Sequence, residues 1–376
     1  MAGIYLHIPF CKQACNYCDF HFSTSMKMKA DFVRAIIQEI ELRKEVFANE
    51  PISSVYFGGG TPSLLSKEEL DIIFEKLYKS FTIDADAEIT LEANPDDLTF
   101  KKISELKGSP INRLSIGVQS FRDEDLRFMN RAHCAKEALN SIKMTQNAGF
   151  QNLTIDLIYG TPGMSNEDWL QNLKTSFDLN IPHISSYALT VEEKTALHHQ
   201  ILTNKVAPVS EQQSAIQFEL LMTEMSKNGY EQYEISNFCK PNGYSRHNSS
   251  YWKKDNYLGL GPSAHSFLGN SRLWNVSNNV EYIKALAQGK LSLEEEVLSQ
   301  RDRYNEYVMT SLRTKWGCNI HQIENNHSTA FVTYFKAEIQ AHLTNGNVIE
   351  KEGIYTLSNS GKLLADRIAS DLFFLE

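Results

Sequence analysis

Two textures alternate along the first half of the chain. Short extended runs rich in apolar residues occur at Ile4–Ile8, Ser54–Phe57, Ile89–Glu92, Arg113–Val118, Leu153–Ile158 and His183–Leu189. Between them, helical patterns occupy Lys29–Val46, Lys67–Lys79, Phe100–Leu106, Ala135–Ala148 and Asn166–Leu179. In the first of these, Phe32, Ile36, Ile40 and Arg43 fall one turn apart and Ile37 widens the stripe. Ser66 followed by Glu69 reads as a capping box. Strand, helix, strand, repeated over six strands, predicts right-handed βα units and a parallel sheet. Eight such units would close a TIM barrel, so six predict an α/β fold of the open, partial (β/α)6 TIM-like kind.

Beyond Lys194 the alternation fades. Gln212–Asn228 reads as a helix that ends at Gly229, and a turn-rich, aromatic stretch follows over Tyr230–Trp274. The tail mixes helical patterns with Gly353–Leu357, which reads as one arm of a small hairpin. The expected organisation is a βα core over residues 1–233, an aromatic-rich connecting segment over 234–294, and a smaller, mainly helical, winged-helix-like domain over 295–376.

Charge narrows the partners. The formal net charge is −9 and no long Lys/Arg run offsets it, which argues against nucleic acid. No run approaches the ~18 consecutive apolar residues of a spanning helix. The segment Met1–His7 carries neither a basic stretch nor a small-residue cleavage site. A cytoplasmic protein is therefore expected, with peripheral contact to membrane-bound partners left open. There thiols stay reduced, so the six cysteines read as ligands, catalysts or core rather than disulfides. Cys134, Cys239 and Cys318 stand alone and read as small buried hydrophobes.

Cys11, Cys15 and Cys18 are different: three thiols in eight residues, directly after the first predicted strand. Structural zinc wants four ligands, and with no second CxxC the fourth would have to be His7 or His21. A 4Fe–4S cluster is held by Cys thiolates, and three of them leave one iron open to a small molecule. The other predicted strands also end in polar or Gly-rich segments. These are Gly58-Gly59-Gly60-Thr61-Pro62, Glu92-Ala93-Asn94-Pro95, Gly117-Val118-Gln119-Ser120, Asp156 with Gly160-Thr161-Pro162-Gly163, and Tyr187-Ala188-Leu189-Thr190. Sites in parallel βα folds form beyond the carboxyl ends of the strands, so this rim is the candidate site.

The spacing Cys11-x3-Cys15-x2-Cys18, with Tyr17 before the third Cys, resembles the radical S-adenosylmethionine (SAM) superfamily. The resemblance implies that the three Cys bind a 4Fe–4S cluster, that SAM chelates the fourth iron, and that an electron from the cluster cleaves SAM to a 5′-deoxyadenosyl radical. Gly58-Gly59-Gly60 resembles the family's GGE-type segment, where backbone approaches the SAM amine. A Cβ there would block that approach. On this reading Gly60→Val should weaken SAM and leave the cluster loop alone. The resemblance narrows to the coproporphyrinogen-oxidase-like branch, which implies a role in porphyrin chemistry. It implies SAM contacts at Tyr5, Gly59, Gly60, Thr61, Glu92, Gln119, Arg131 and Asp156, with Tyr17 and Ala188 completing the set.

Within that branch, oxygen-independent coproporphyrinogen III oxidases decarboxylate two propionates, whereas haem chaperones of similar sequence bind haem for delivery to acceptor proteins. The oxidase pattern continues Cys-x-Cys, but here Phe20 follows Cys18-Asp19. The oxidases also carry a longer extension before the cluster, and ten residues precede Cys11. The stretch His247-Asn248-Ser249-Ser250-Tyr251-Trp252 resembles the HNxxYW motif of the chaperones. Imidazole is a standard axial ligand of haem iron, and Tyr and Trp offer flat apolar area. His247, Tyr251 and Trp252 are thus the expected haem residues, with His265 the second candidate. The expected function is a haem carrier that binds a 4Fe–4S cluster and SAM; the decarboxylase is the alternative. A protein-binding module on a degenerate fold ranks below both, because all three cluster cysteines are present.

Overall fold

A computed structural model describes residues 2–375. Six parallel strands form its centre: β1 (Ala2–Ile8), β2 (Ile52–Gly59), β3 (Ile83–Ala93), β4 (Arg113–Gln119), β5 (Asn152–Tyr159) and β6 (His183–Ala188). The connecting helices are α1 (Lys29–Arg43), α2 (Lys67–Ser80), α3 (Phe100–Lys107), α4 (Asp123–Phe128), α5 (Ala135–Asn147) and α6 (Asn166–Asp178). The Ser66–Glu69 capping box is present. On β1, Ile4, Leu6 and Ile8 are fully buried in a core shared with Phe32, Ile36 and Ile40 of α1. The period of two turns Tyr5 and His7 to the opposite, concave face.

Two short helices of the first 230 residues escape the sequence patterns: α4, and α7 (Ala196–Leu202), which is followed by α8 (Glu211–Lys227). Neither is long enough to show a helical period. Residues 231–297, of which the part up to Trp274 reads from sequence as turn-rich, extend the sheet at both edges. The short strands β7 (Glu231–Gln232) and β8 (Asn237–Cys239) lie antiparallel beside β6. The strands β9 (Tyr257–Leu260), β10 (His265–Leu268), β11 (Ser271–Asn275) and β12 (Leu293–Val297) extend the β1 edge. The sheet order is β12-β11-β10-β9-β1-β2-β3-β4-β5-β6-β8-β7, an open sheet of twelve strands rather than a closed barrel.

The chain must therefore pass from one edge of the sheet, at β8, to the other, at β9. It does so through α9 (Arg246–Lys253), which packs on β2. The N-terminus of α9 ends on the buried Glu88 carboxylate. Oε1 accepts from His247 N (3.1 Å) and from Ser245 Oγ (3.3 Å), and Oε2 accepts from Arg246 N (3.1 Å). A carboxylate there answers the orphan amides and the positive end of the helix dipole. Arg113, also buried, sits 3.8 Å from the same carboxylate. It begins a polar row across the inner face that runs from Arg113 to Thr154, to His183 Nδ1 (3.1 Å from Thr154), and from His183 Nε2 to Tyr233 (2.8 Å).

A second core forms around Tyr304, Val308, Phe335, Ile339 and Ile368. Its elements run helix (Gln300–Leu312), strand β13 (Cys318–Asn319), helices (Ile320–Asn326 and Thr329–Thr344), and hairpin β14 (Val348–Lys351) and β15 (Ile354–Leu357), in sheet order β13-β15-β14. The C-terminal part is thus mainly helical with one small hairpin. No described helix is long and apolar enough to cross a membrane.

Removing Glu88 would strand two helix amides and the Arg113 guanidinium in the interior. Glu88→Ala is expected to lower unfolding free energy by roughly 3–5 kcal/mol, the scale for breaking a buried charge pair from one side. Urea denaturation of the purified protein measures it, and a loss under about 1 kcal/mol, the scale of an exposed pair, would contradict the anchoring role.

Candidate functional site

The loop after β1 carries Cys11, Cys15 and Cys18, all half-buried and none in a disulfide. Backbone bonds place it: Cys11 N donates to Ser23 O (3.0 Å), and Asn16 N donates to Met129 O (3.1 Å). Side chains add more. Gln13 Nε2 donates to Asn130 O, Asn130 Nδ2 to Ala14 O, and Asn16 Nδ2 to Phe128 O, at 2.7–2.9 Å. Lys12 pairs with Asp96 and Asp97 beyond β3. The loop is therefore held from two strand ends at once. Burial pushes the Cys11 thiol up and the Cys18 thiol up to about 11. Among the described residues no three His, Cys, Asp or Glu side chains are placed to hold a single metal ion. A four-iron cluster gives each thiolate its own iron, so it calls for three separate sulfurs rather than three converging on one ion.

Arg131 ties this loop to the rim. One guanidinium nitrogen lies 3.3 Å from Cys15 Sγ; another donates to Asn94 Oδ1 (2.6 Å) and Gly117 O (2.8 Å). Asn94 Nδ2 in turn donates to Thr61 Oγ1 (3.2 Å). Glu92 reaches the Gly segment: Oε2 accepts from Gly59 N (3.1 Å) and Oε1 from Tyr56 OH (2.8 Å). Gln119 takes a left-handed backbone at φ 66°, which breaks the β4–β5 register and places its amide near Arg131, around Gly117. Asp156 projects from β5 toward Ser185, Arg113 and Arg131. Burial pushes Glu92 up to about 7, against its bond from Tyr56 and with help from Asp156; burial likewise pushes Asp156 up to about 6. Tyr17 packs beside Met129 and Leu189, and Ala188 closes β6 against Tyr159. The structure thus gathers Tyr5, Tyr17, Gly59, Thr61, Glu92, Gln119, Arg131 and Asp156 around the mouth of the sheet, next to the cysteines. Carboxylates, amides and a guanidinium are suitable partners for a polar ligand with an amine, a carboxylate and a ribose.

Helix α9 lies deeper, beneath Tyr56. The His247 ring is buried, stacks on Tyr56 (5.0 Å between centroids) and is bonded at both nitrogens. Nδ1 meets Ser54 Oγ at 2.9 Å and Nε2 meets Tyr251 OH at 2.8 Å. Burial, then the Arg113 charge, drives its pKa down to about 3. The expectation that His247 offers a nitrogen to haem iron does not match this arrangement, because neither nitrogen is open. Tyr251 is turned inward as well, edge-on to Tyr257 (4.6 Å). Trp252 is half-buried on the far side, under the Arg313 guanidinium at 5.8 Å. The motif carries chemistry but not depth: nothing in six residues tells a ligand from a buried anchor.

The radical SAM superfamily pattern matches residues 5–175. The heme chaperone HemW of Lactococcus lactis is 34% identical over 335 residues, covering 89% of this chain and 87% of that protein. HemW of Bacillus subtilis is 30% identical, covering 98% of each chain. This chain belongs to the HemW family of radical SAM proteins. Among solved structures, coproporphyrinogen III oxidase (HemN) from Escherichia coli, described as a radical SAM enzyme, superposes with a TM-score of 0.85 at 26% identity, covering 99% of this chain and 90% of that one. The family implies a 4Fe–4S cluster and SAM, and the donors around the rim fit both.

Residues of the HemW-family site that sequence patterns left unassigned are Asn94, Asn130 and Asn16, which lock the cluster loop in place. Asn94 ends a strand before Pro95, a signal for a turn rather than a site. Gly60 needs a correction too. Its amide donates to Ile8 O (2.9 Å), and a Cβ would come within 2.7 Å of Phe10 O and 2.8 Å of Ile8 O. These are backbone atoms one to three residues before Cys11. Gly60 is therefore required by the cluster loop itself, and the expectation that a valine would spare that loop is withdrawn. Gly60→Val should lower iron and sulfide per chain after anaerobic reconstitution, as well as SAM binding. Wild-type iron content in that variant would restore the earlier expectation.

Glu92 also sets a pH dependence. Its folded pKa lies above the ordinary carboxylate value of 4.5, so the folded state holds more protons between about pH 4.5 and 7. The cofactor-free protein should therefore lose stability as pH rises through that window. Glu92→Gln should flatten that part of the profile, measured by denaturation at stepped pH. A profile unchanged by the substitution would show that Glu92 does not titrate there.

Proposed function

We propose that this chain is a haem carrier built on a radical SAM core. In this reading Cys11, Cys15 and Cys18 hold a 4Fe–4S cluster, the rim around Glu92 and Arg131 holds SAM, and haem is bound for transfer to acceptor proteins. The observation that carries it is near-full-length similarity to heme chaperones named HemW from several bacteria, at 28–34% identity. Phe20 adds a local argument. It stands two residues after Cys18, where the oxidase pattern has a fourth Cys, and it is 68% exposed, so no thiol supplements the loop there. Coproporphyrinogen decarboxylation is the second reading, favoured by the HemN-like fold.

The two readings separate in one preparation. Anaerobically reconstituted protein should show cluster absorbance that a triple Cys→Ser variant lacks. It should bind haem at about one per chain. Given coproporphyrinogen, SAM and a reductant, it should form no protoporphyrinogen. An oxidase must aim its radical at one propionate, and errors near ~1 Å can cost ~100-fold. Sustained decarboxylation without haem binding would establish the oxidase reading instead.

A further inference from the structure

The carrier reading requires an open ligand for haem iron, and His247 does not provide one. The sheet extension beyond β1 does. His265 opens β10 with an exposed side chain, and neither ring nitrogen has a hydrogen-bond partner among the described residues. Directly opposite, on β11, stands Trp274, its ring stacked beside the imidazole at 5.9 Å and 27°. Paired residues in an antiparallel ladder point to one face, and so do residues two apart on a strand. Phe267 therefore shares that face, paired with Arg272 on one side and with Tyr257 of β9 on the other, its ring 6.5 Å from the Tyr257 ring. The result is an aromatic floor of Trp274, Phe267 and Tyr257, one free imidazole at its edge, and a guanidinium within the same face. Arg272 is steadied by Glu306 at 2.5 Å.

We infer that this face is the haem-docking platform, with His265 the axial ligand and Trp274 packed against the macrocycle. The inference rests on the carrier reading and refines it. A porphyrin has a broad apolar face, one metal needing a neutral imidazole, and two anionic propionates. Phe267 and Tyr257 meet the first requirement, and Trp274, nearly parallel to the imidazole, meets the macrocycle edge-on. His265 meets the second: its ring is exposed with both nitrogens free of hydrogen bonds among the described residues, and partial burial and the Arg272 charge shift its pKa down, toward the neutral, ligating form. Arg272, paired with Glu306 and opposite Glu296 on β12, is the cation this face offers to a propionate, and Glu294 accepts from Trp274 Nε1 at 3.2 Å beside it. The platform is near the cluster loop as well, since β9 pairs with β1 and Leu260 stands opposite Leu6, five residues before Cys11.

The test is titration of the full-length, cluster-loaded protein with hemin, followed by absorption and electron paramagnetic resonance. Wild type should show histidine-ligated haem. His265→Ala should lose that signature and weaken hemin by at least about tenfold, the scale at which even outer partners of a metal ligand count. Trp274→Ala should weaken hemin but keep the histidine signature. Circular dichroism and cluster absorbance check that each variant is folded; His265 is exposed and Trp274 half-buried. Unchanged affinity and spectrum in folded His265→Ala would overturn the platform and leave the carrier reading standing. Absence of hemin binding by wild type would overturn the carrier reading, and the platform with it.

Discussion

The Glu88 carboxylate holds the architecture together at the point where it is most exposed to failure. An open sheet of twelve strands holds its two edges far apart, yet one segment, residues 231–297, builds both of them. The chain resolves this by crossing from β8 to β9 through one short helix, and that helix begins on Glu88. At eight residues α9 is below the length at which helices persist alone. Its amides need an acceptor, Arg113 needs an anion, and one buried side chain serves both. Burying charge in this way is costly unless every partner is present. The polar row from Arg113 through His183 to Tyr233 belongs to the same solution, because it spreads the guanidinium's neighbours over four strands.

From that anchor the floor of the sheet connects to its rim. His247 is fixed between Ser54 and Tyr251 and lies flat against Tyr56. Tyr56 donates to Glu92, and Glu92 receives the Gly59 amide. The HNxxYW helix is therefore mechanically part of the rim, two side chains removed from the glycine segment. On the opposite flank Arg131 and Asn94 link the cluster loop to β3 and β4. The rim is pre-organised by side chains that themselves have fixed partners, which is the condition for precise cofactor placement.

Much of this was legible from sequence, and the boundary of legibility is physical. The six central strands and five of their helices carry strong periodicity because each buries one continuous face in a large core. The cysteine spacing and polar strand ends marked the rim because chemistry there demands rare residue types. The sheet extension did not show. Strands of two to five residues, such as β7 and β12, are too short for alternation to register, and β12 reads Leu-Glu-Glu-Glu-Val because it is an exposed edge. Depth was also hidden. A His beside Tyr and Trp has the same composition whether it faces solvent or a serine, and only the crossing of α9 under Tyr56 decides it.

Position separates carrier from catalyst more sharply than composition does. A radical generated at the cluster can act only on what sits within the rim, so an oxidase has to admit its porphyrin to the mouth of the sheet, with reacting atoms ~3–3.5 Å apart. A carrier faces the reverse demand: its cargo must be reachable by a second protein, and a haem sealed inside would be released slowly. The interior beneath the rim is already filled, by Tyr5, Tyr56, His247 and Tyr251 stacked or bonded to one another. The unpaired imidazole of His265 lies apart from this stack, on β10 of the four strands that extend the sheet beyond β1.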